Sequence, residues 1–299
     1  MIKVTNLTKT FDDHIALSNV NLHVKKGSVY GLVGPNGSGK TTMIKHIMGI
    51  YRQDKGIVSV CDENIYNNTM IKQKMVYIPD DLYFPPTFSA MDMAKFYASI
   101  YENFSWEKFN ELSKIFAIDN KKRVAKLSKG MQKQVAFWIC ISCNPEIIIM
   151  DEPVDGLDPV MRKMVWGIIL KEVSERKVTV LISSHNLREL EDVCDHVGIL
   201  HQGKMLLEKP LDDMKSDTHK LQIAFADGVP KDFKDELCIL HESTLGKVST
   251  FIIRGNKEEL IKVINKYNPV LFDIIPLTLE EVFIYELGGK GYDFKNILY

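Results

Sequence analysis

No stretch of about 18 residues in this chain stays apolar, the length a spanning helix needs. The nearest approach, 135–150, is interrupted by Asn144, Pro145 and Glu146, so the chain is not expected to cross a membrane by itself. Its opening, MIKVTNLTKTF, lacks the basic-then-apolar region of a secretory signal. Dense basic runs are missing too. Lys and Arg number 38 against 39 Asp and Glu, a net charge of −1, so neither a nucleic-acid nor an anionic-membrane footprint is advertised. Cysteine is scarce and scattered: Cys61, Cys140, Cys143, Cys194 and Cys238. Cys140 and Cys143 form a C-x-x-C with no second pair to complete a zinc site. Within the apolar run AFWICISC they read as small core residues at helical spacing, and the default compartment is a reducing cytosol.

What remains is the composition of a globular protein, 45% apolar and 26% charged over 299 residues, enough for one large domain or a large one and a small one. Apolar runs at 2–4, 15–24 and 28–33 predict strands, with Lys26-Gly27 turning between the last two. A helix is expected over 40–48, closed by Gly49, then strands near 57–60 and 75–78. From 87 to 144 the pattern turns helical. Ser89 followed by Asp92 is a capping pattern, and Met93, Phe96, Tyr97 and Ile100 recur at helical spacing. SWEKFNELSKIF behaves alike. Alternation then returns: strand 146–150, helix 159–176 with Asp158 as N-cap and Pro159 at its first position, strand 178–182, helix 186–194, strand 196–201. This argues for an α/β core with a mainly parallel sheet and a helical insertion. Residues 202–219 are polar and mark a boundary. Beyond them strand 220–226, helix 230–236, strands 237–242 and 248–254, helix 256–267 and strand 270–275 suggest a ferredoxin-like βαββαβ unit, followed by an amphipathic helix over 278–287.

GPNGSGKT, Gly34 to Thr41, follows an apolar strand and opens a helix. In this G-x-x-x-x-G-K-[ST] loop the glycines let successive N–H groups face an anion, and the helix N-terminus adds a favourable field. Lys40 would reach the β- and γ-phosphates, and Thr41 would offer a hydroxyl to Mg²⁺. EIIIMDEP places Asp151 and Glu152 at a strand end, where α/β proteins gather their ligands. Asp151 would hold the Mg²⁺ shell and Glu152 would polarise the attacking water. VYIPDDLY ends another strand at Pro79 and sets Asp80 and Asp81 side by side. By themselves these are either a metal or acid–base pair or the polar start of a turn.

Over about residues 1–215 the sequence resembles the ATP-binding subunit of an ABC transporter. LSKGM, Leu127 to Met131, is similar to the family signature LSGGQ, GLDP at 156–159 to its D-loop, and His185 in LISSH to its switch histidine. The resemblance implies an α/β P-loop NTPase with a helical subdomain at about 87–144, and the strand and helix pattern beyond it makes 216–299 a small α+β accessory domain. The resemblance also implies ATP and Mg²⁺ as cofactors, with Gly34, Asn36, Gly37, Ser38, Gly39, Lys40, Thr41 and Thr42 on the phosphates and Phe11 stacked on adenine. Glu152, His185 and Lys40 are the implied catalytic residues, and Thr41, Asp80 and Asp151 the implied metal ligands. Ser128 and Gly130 would contact the γ-phosphate of a second ABC ATPase subunit, in a homo- or heterodimer, and Asp158 would lie at the dimer seam.

Departures from the pattern are Lys129 and Met131 in the signature, and Asp80 where the family has a glutamine. Lys129 either adds a cation near a phosphate in trans or faces solvent; Asp81 reads as a turn residue. The implied activity is ATP hydrolysis powering export through a separate membrane subunit, from the cytoplasmic face of the plasma membrane and by dimer closure. Phe88, Phe96, Tyr97, Tyr101 and Phe104 either receive a membrane partner or pack within the insertion. Within the family, S-K-G-M, FYASIYENF and LTLEEVFIYELGGKGYDF are similar to a Gram-positive group of phenol-soluble modulin exporters and multidrug or antimicrobial-peptide resistance ATPases. A nucleic-acid ATPase of the same family would carry two ATPase units or a long coiled coil, and neither is present. A purely regulatory nucleotide binder would lack the base.

Overall fold

Strands Ile2–Phe11 (β1) and His14–Val24 (β2) pair antiparallel. They belong to a computed structural model that describes residues 1–216, 218–226, 228–278 and 280–281. Strand β1 runs well past the predicted 2–4. Register shifts after Val4, Leu7 and Lys9, with Asn6 and Asn19 at positive φ, bulge the pair and hide its alternation from the sequence. The chain divides into one unit of Met1–His185 with Val193–Glu208, and another of Asn186–Asp192 with the described residues from Lys209 onward.

The first unit continues with Val29–Val33 (β3), Lys40–Ile47 (α1), Lys55–Val60 (β4), Glu63–Asn64 (β5), Thr69–Lys72 (α2) and Met75–Ile78 (β6). Three helices follow, Ala90–Ile100 (α3), Trp106–Phe116 (α4) and Lys129–Ser142 (α5). Then come Ile147–Asp151 (β7), Pro159–Arg176 (α6), Thr179–Ser184 (β8), His196–His201 (β9) and Lys204–Pro210 (β10), the last two residues of which count with the second unit. One sheet has the order β2-β1-β4-β5 and the other β10-β9-β3-β8-β7-β6. The pairs β3–β8, β3–β9, β6–β7 and β7–β8 are parallel. Every residue of β3, β7 and β8 is buried, as strands covered on both faces must be. Leu7, Leu17 and Leu22 share one core with Met43, Ile44 and Ile47 of α1 and with Leu32, Ile149 and Leu181 of the parallel sheet.

The insertion is held by its own aromatics. Ser89 and Asp92 form a full capping box at α3. Phe109 of α4 stacks on Trp138 of α5 at 4.4 Å, and the indole N–H donates to the Phe109 carbonyl at 2.7 Å. Tyr97 stacks on Tyr101, whose hydroxyl donates to the Met75 carbonyl, and Phe104 packs on Trp106. Phe96 is exposed. Cys140 and Cys143 are buried, and burial pushes the Cys140 thiol up to about 12.

The helix predicted over 186–194 is instead a single 3₁₀ turn, Leu187–Glu189, running into further turns. Leu187, Leu190 and Val193 are buried at a spacing of three, which suits a 3₁₀ turn better than an α-helix. Strand β10 also went unpredicted, since its largely half-exposed residues carry no apolar alternation.

In the second unit Leu211–Ser216 (α7) precedes Thr218–Ala224 (β11), Lys231–Asp235 (α8), Cys238–Leu245 (β12), Val248–Arg254 (β13), Lys257–Lys266 (α9) and Leu271–Pro276 (β14). Its sheet, β12-β13-β11-β14, is antiparallel throughout, the ferredoxin-like arrangement. Leu221, Ile223, Phe233, Phe251, Leu260 and Ile264 form its core. The last predicted helix, 278–287, falls almost entirely outside the described residues.

Candidate functional site

Register brings the chemistry to one edge of the parallel sheet. Val33 lies opposite Ser184, Asp151 opposite Ser183, and Ile78 opposite Met150. Gly34, Asp80, Glu152 and His185 therefore all emerge at the carboxyl ends of adjacent strands. The loop after β3 coils over the start of α1, with Gly37 at φ 78° and Gly39 at φ 107°. A Cβ at Gly34 would overlap the Leu200 carbonyl, so this loop must carry glycine where it meets β9.

Two carboxylates anchor the loop. Thr41 Oγ1 donates to Asp151 Oδ2 at 2.6 Å, and Ser183 Oγ donates to Asp151 Oδ1. Lys40 Nζ donates to the Gly34 carbonyl at 2.6 Å and lies 3.2 Å from Glu152 Oε1. Glu152 sits at φ 45°, and its N–H donates to Ser183. Its carbonyl accepts from Lys133 Nζ at 2.8 Å, while Oε2 accepts the His185 N–H at 3.2 Å and lies 2.9 Å from Nδ1. The backbone is thus fixed on both sides, and only Oε1 lacks a hydrogen bond.

A cleft of about 320 Å³ opens beside these groups, lined by Phe11, Asn36, Gly37, Gly39, Lys40, Thr41, Thr42, Asp80 and Glu152, together with His14 and Ala16. Phe11 stands at 38% exposure with its ring edge-on to Tyr51 at 5.4 Å. Asp151 lies behind the lining and His185 beside Glu152; Ser38 is buried. Ser128 and Gly130 are absent from the cleft. Ser128 caps α5 by accepting the Met131 N–H, and a Cβ on Gly130 would come 3.2 Å from the Gly156 carbonyl. Asp158 caps α6 through the N–H groups of Val160 and Met161. Sequence reasoning missed Lys133, Ser183, Tyr51 and Asp155. The Asp155 carboxylate comes within 4.8 Å of ligand atoms of Glu152 and His185. Ser183 had a signal in LISSH, whereas nothing in the run around Lys133 marks a lysine for burial.

The donor set fits a metal–polyphosphate. Thr41, Asp151 and Asp80 offer the hard oxygens that a small dication prefers. The buried Lys40 ammonium and the glycine loop suit phosphate oxygens, and the Ser38 hydroxyl and Glu152 Oε1 are buried without a hydrogen-bond partner. No helix among the described residues is long and apolar enough to cross a membrane.

A family model described as ABC transporter matches residues 17–155. The ABC transporter ATP-binding protein YtrB of Bacillus subtilis (strain 168) is 32% identical over 290 residues, covering 97% of this chain and 99% of that protein. The bacitracin transport ATP-binding protein BcrA of Bacillus licheniformis is 30% identical over 299 residues, covering 97% and 98%. A solved dimeric structure of a bacterial ABC transporter cassette superposes with a TM-score of 0.63 at 26% identity, over 71% of this chain and 99% of that one. The chain belongs to the ABC transporter ATP-binding proteins and is the subunit that binds and hydrolyses ATP to power transport.

Proposed function

We propose that two such subunits close over two ATP molecules and reopen on hydrolysis, driving a separate integral-membrane subunit from the cytoplasmic face of the plasma membrane. Export of a peptide or peptide-like antibiotic is the proposed direction and cargo class, on the likeness to BcrA, named for bacitracin transport. Residues 1–215 are the proposed ATPase domain, 216–299 an accessory domain, and a nucleic-acid partner is not proposed.

In this reading the loop amides and Lys40 hold the phosphates, and Phe11 stacks on the base. Thr41, Asp151 and Asp80 would hold Mg²⁺, which when bound neutralises phosphate charge. Glu152 takes the proton of the attacking water. Its Oε2 is steadied by His185, while Oε1 is paired only with Lys40, a cation that a γ-phosphate would draw away. His185 then faces the γ-phosphate. Ser128 and Gly130, which do not line their own cleft, complete the partner's site. The carrying observation is Glu152, buried at the cleft with one carboxylate oxygen left for a ligand.

Glu152→Gln is expected to bind ATP, accumulate as a dimer at saturating ATP, and lose phosphate release by about two orders of magnitude or more. Chromatography with ATP, beside a phosphate-release assay, reads both. Undiminished turnover would sink the assignment of Glu152 as base.

A further inference from the structure

We infer that Lys133 is a positioning residue for ATP hydrolysis, with two separable jobs: it offsets the charge of Asp80 at the cleft and fixes the backbone of Glu152. The inference rests on Glu152 being the base. Lys133 lies one turn into α5, the helix that Ser128 begins, and is 8% exposed. An ammonium that deep needs partners. Two are in reach, the Glu152 carbonyl at 2.8 Å and Asp80 Oδ1 at 3.6 Å. One cation therefore ties together the chain just past β6, the chain just past β7, and α5.

Each contact answers a specific difficulty. Asp80 is exposed, lines the cleft, and would set a negative charge against an incoming polyphosphate. The Lys133 ammonium lies against that carboxylate and offsets it. Glu152 stands in the left-handed region, where its carbonyl leaves the sheet ladder. The Lys133 N–H on that carbonyl fixes the peptide orientation, and through it the direction in which the Glu152 carboxylate leaves the strand end. The first job governs how readily ATP enters, and the second how well the base is aimed.

The two jobs come apart in the full-length chain by steady-state ATPase kinetics, with nucleotide affinity read separately by displacement of a fluorescent ATP analogue. Lys133→Met is expected to raise KM for ATP about fivefold, since Asp80 loses its counter-charge. It should also lower kcat about tenfold, since the Glu152 carbonyl loses its donor. Adding Asp80→Asn, which removes the charge but keeps a side-chain oxygen for the metal, should return KM to within about twofold of the parent while kcat stays low. Lys133→Gln keeps an N–H for the carbonyl without the charge, so it should keep most of kcat and show only the raised KM. It also carries the test should the methionine variant not fold, because Asp80→Asn must then repair that KM. A generally loosened fold would shift both constants together and be indifferent to Asp80. A wild-type KM in Lys133→Met or Lys133→Gln, a raised KM that Asp80→Asn leaves in place, or a kcat that Lys133→Gln fails to keep each overturns the inference. Failure of the base assignment reads out elsewhere, as normal turnover in Glu152→Gln.

Discussion

Gly39 closes the phosphate loop at φ 107° and starts α1. A Cβ there would sit 2.8 Å from the Ala16 carbonyl and 2.9 Å from Leu17 Cδ2, so a side chain meets both a forbidden backbone and a filled space. Gly39→Ala should therefore lower unfolding free energy by about 1–2 kcal/mol from the backbone alone. ATP affinity should fall about tenfold or more, because an equal distortion of the amide cradle is worth a decade per 1.36 kcal/mol. Urea titration and calorimetric ATP binding measure the two losses. At this scale the site was largely legible, because a phosphate cradle and the strand-end acids at 151–152 have to be spelled out in consecutive residues. Lys133 was not legible, since its meaning comes from Asp80 and Glu152, which only the parallel register brings beside it.

Helices α4 and α6 meet over a single carboxylate. Glu172 accepts from Lys108 Nζ at 2.7 and 2.9 Å and from Arg176 Nη1 at 2.6 Å. Lys108 also donates to Asn144 Oδ1, and Arg176 to the Asn144 and Pro145 carbonyls. The helical insertion is thereby pinned to a core helix by a mostly buried network. Glu172→Ala leaves two cations facing one another and should destabilise the first unit by on the order of 2 kcal/mol, partial exposure of Arg176 keeping it below a fully buried pair. A shifted denaturation midpoint with unchanged slope is the expected reading. Elements with explicit end signals, such as α6 with its Asp158 cap and Pro159, could be read from sequence to the residue. Elements whose local pattern is broken could not: bulges interrupt β1, β10 carries no apolar alternation, and the buried spacing of three at 187–193 mimics part of an α-helical stripe.

The described residues form two units, one holding a core centred on the parallel sheet and the other a core around Phe233 and Phe251. Units that do not share a core unfold as separate cooperative steps. Scanning calorimetry should show two transitions. ATP at about a hundred times its Kd should add about 2.7 kcal/mol to the one that contains the cleft, leaving the other in place. A single transition that moves as a whole with ATP would contradict this. The placement of Ser128 and Gly130, spent on the α5 cap and on Gly156 rather than on their own cleft, also has a genetic meaning. If catalytic sites are assembled across two copies, an inactive chain is not merely silent but captures a working one. With half the chains defective and pairing at random, only about a quarter of the dimers would keep two sound members. Lesions at Glu152 that spare nucleotide binding should therefore behave as dominant alleles, while lesions that unfold the first unit should be recessive.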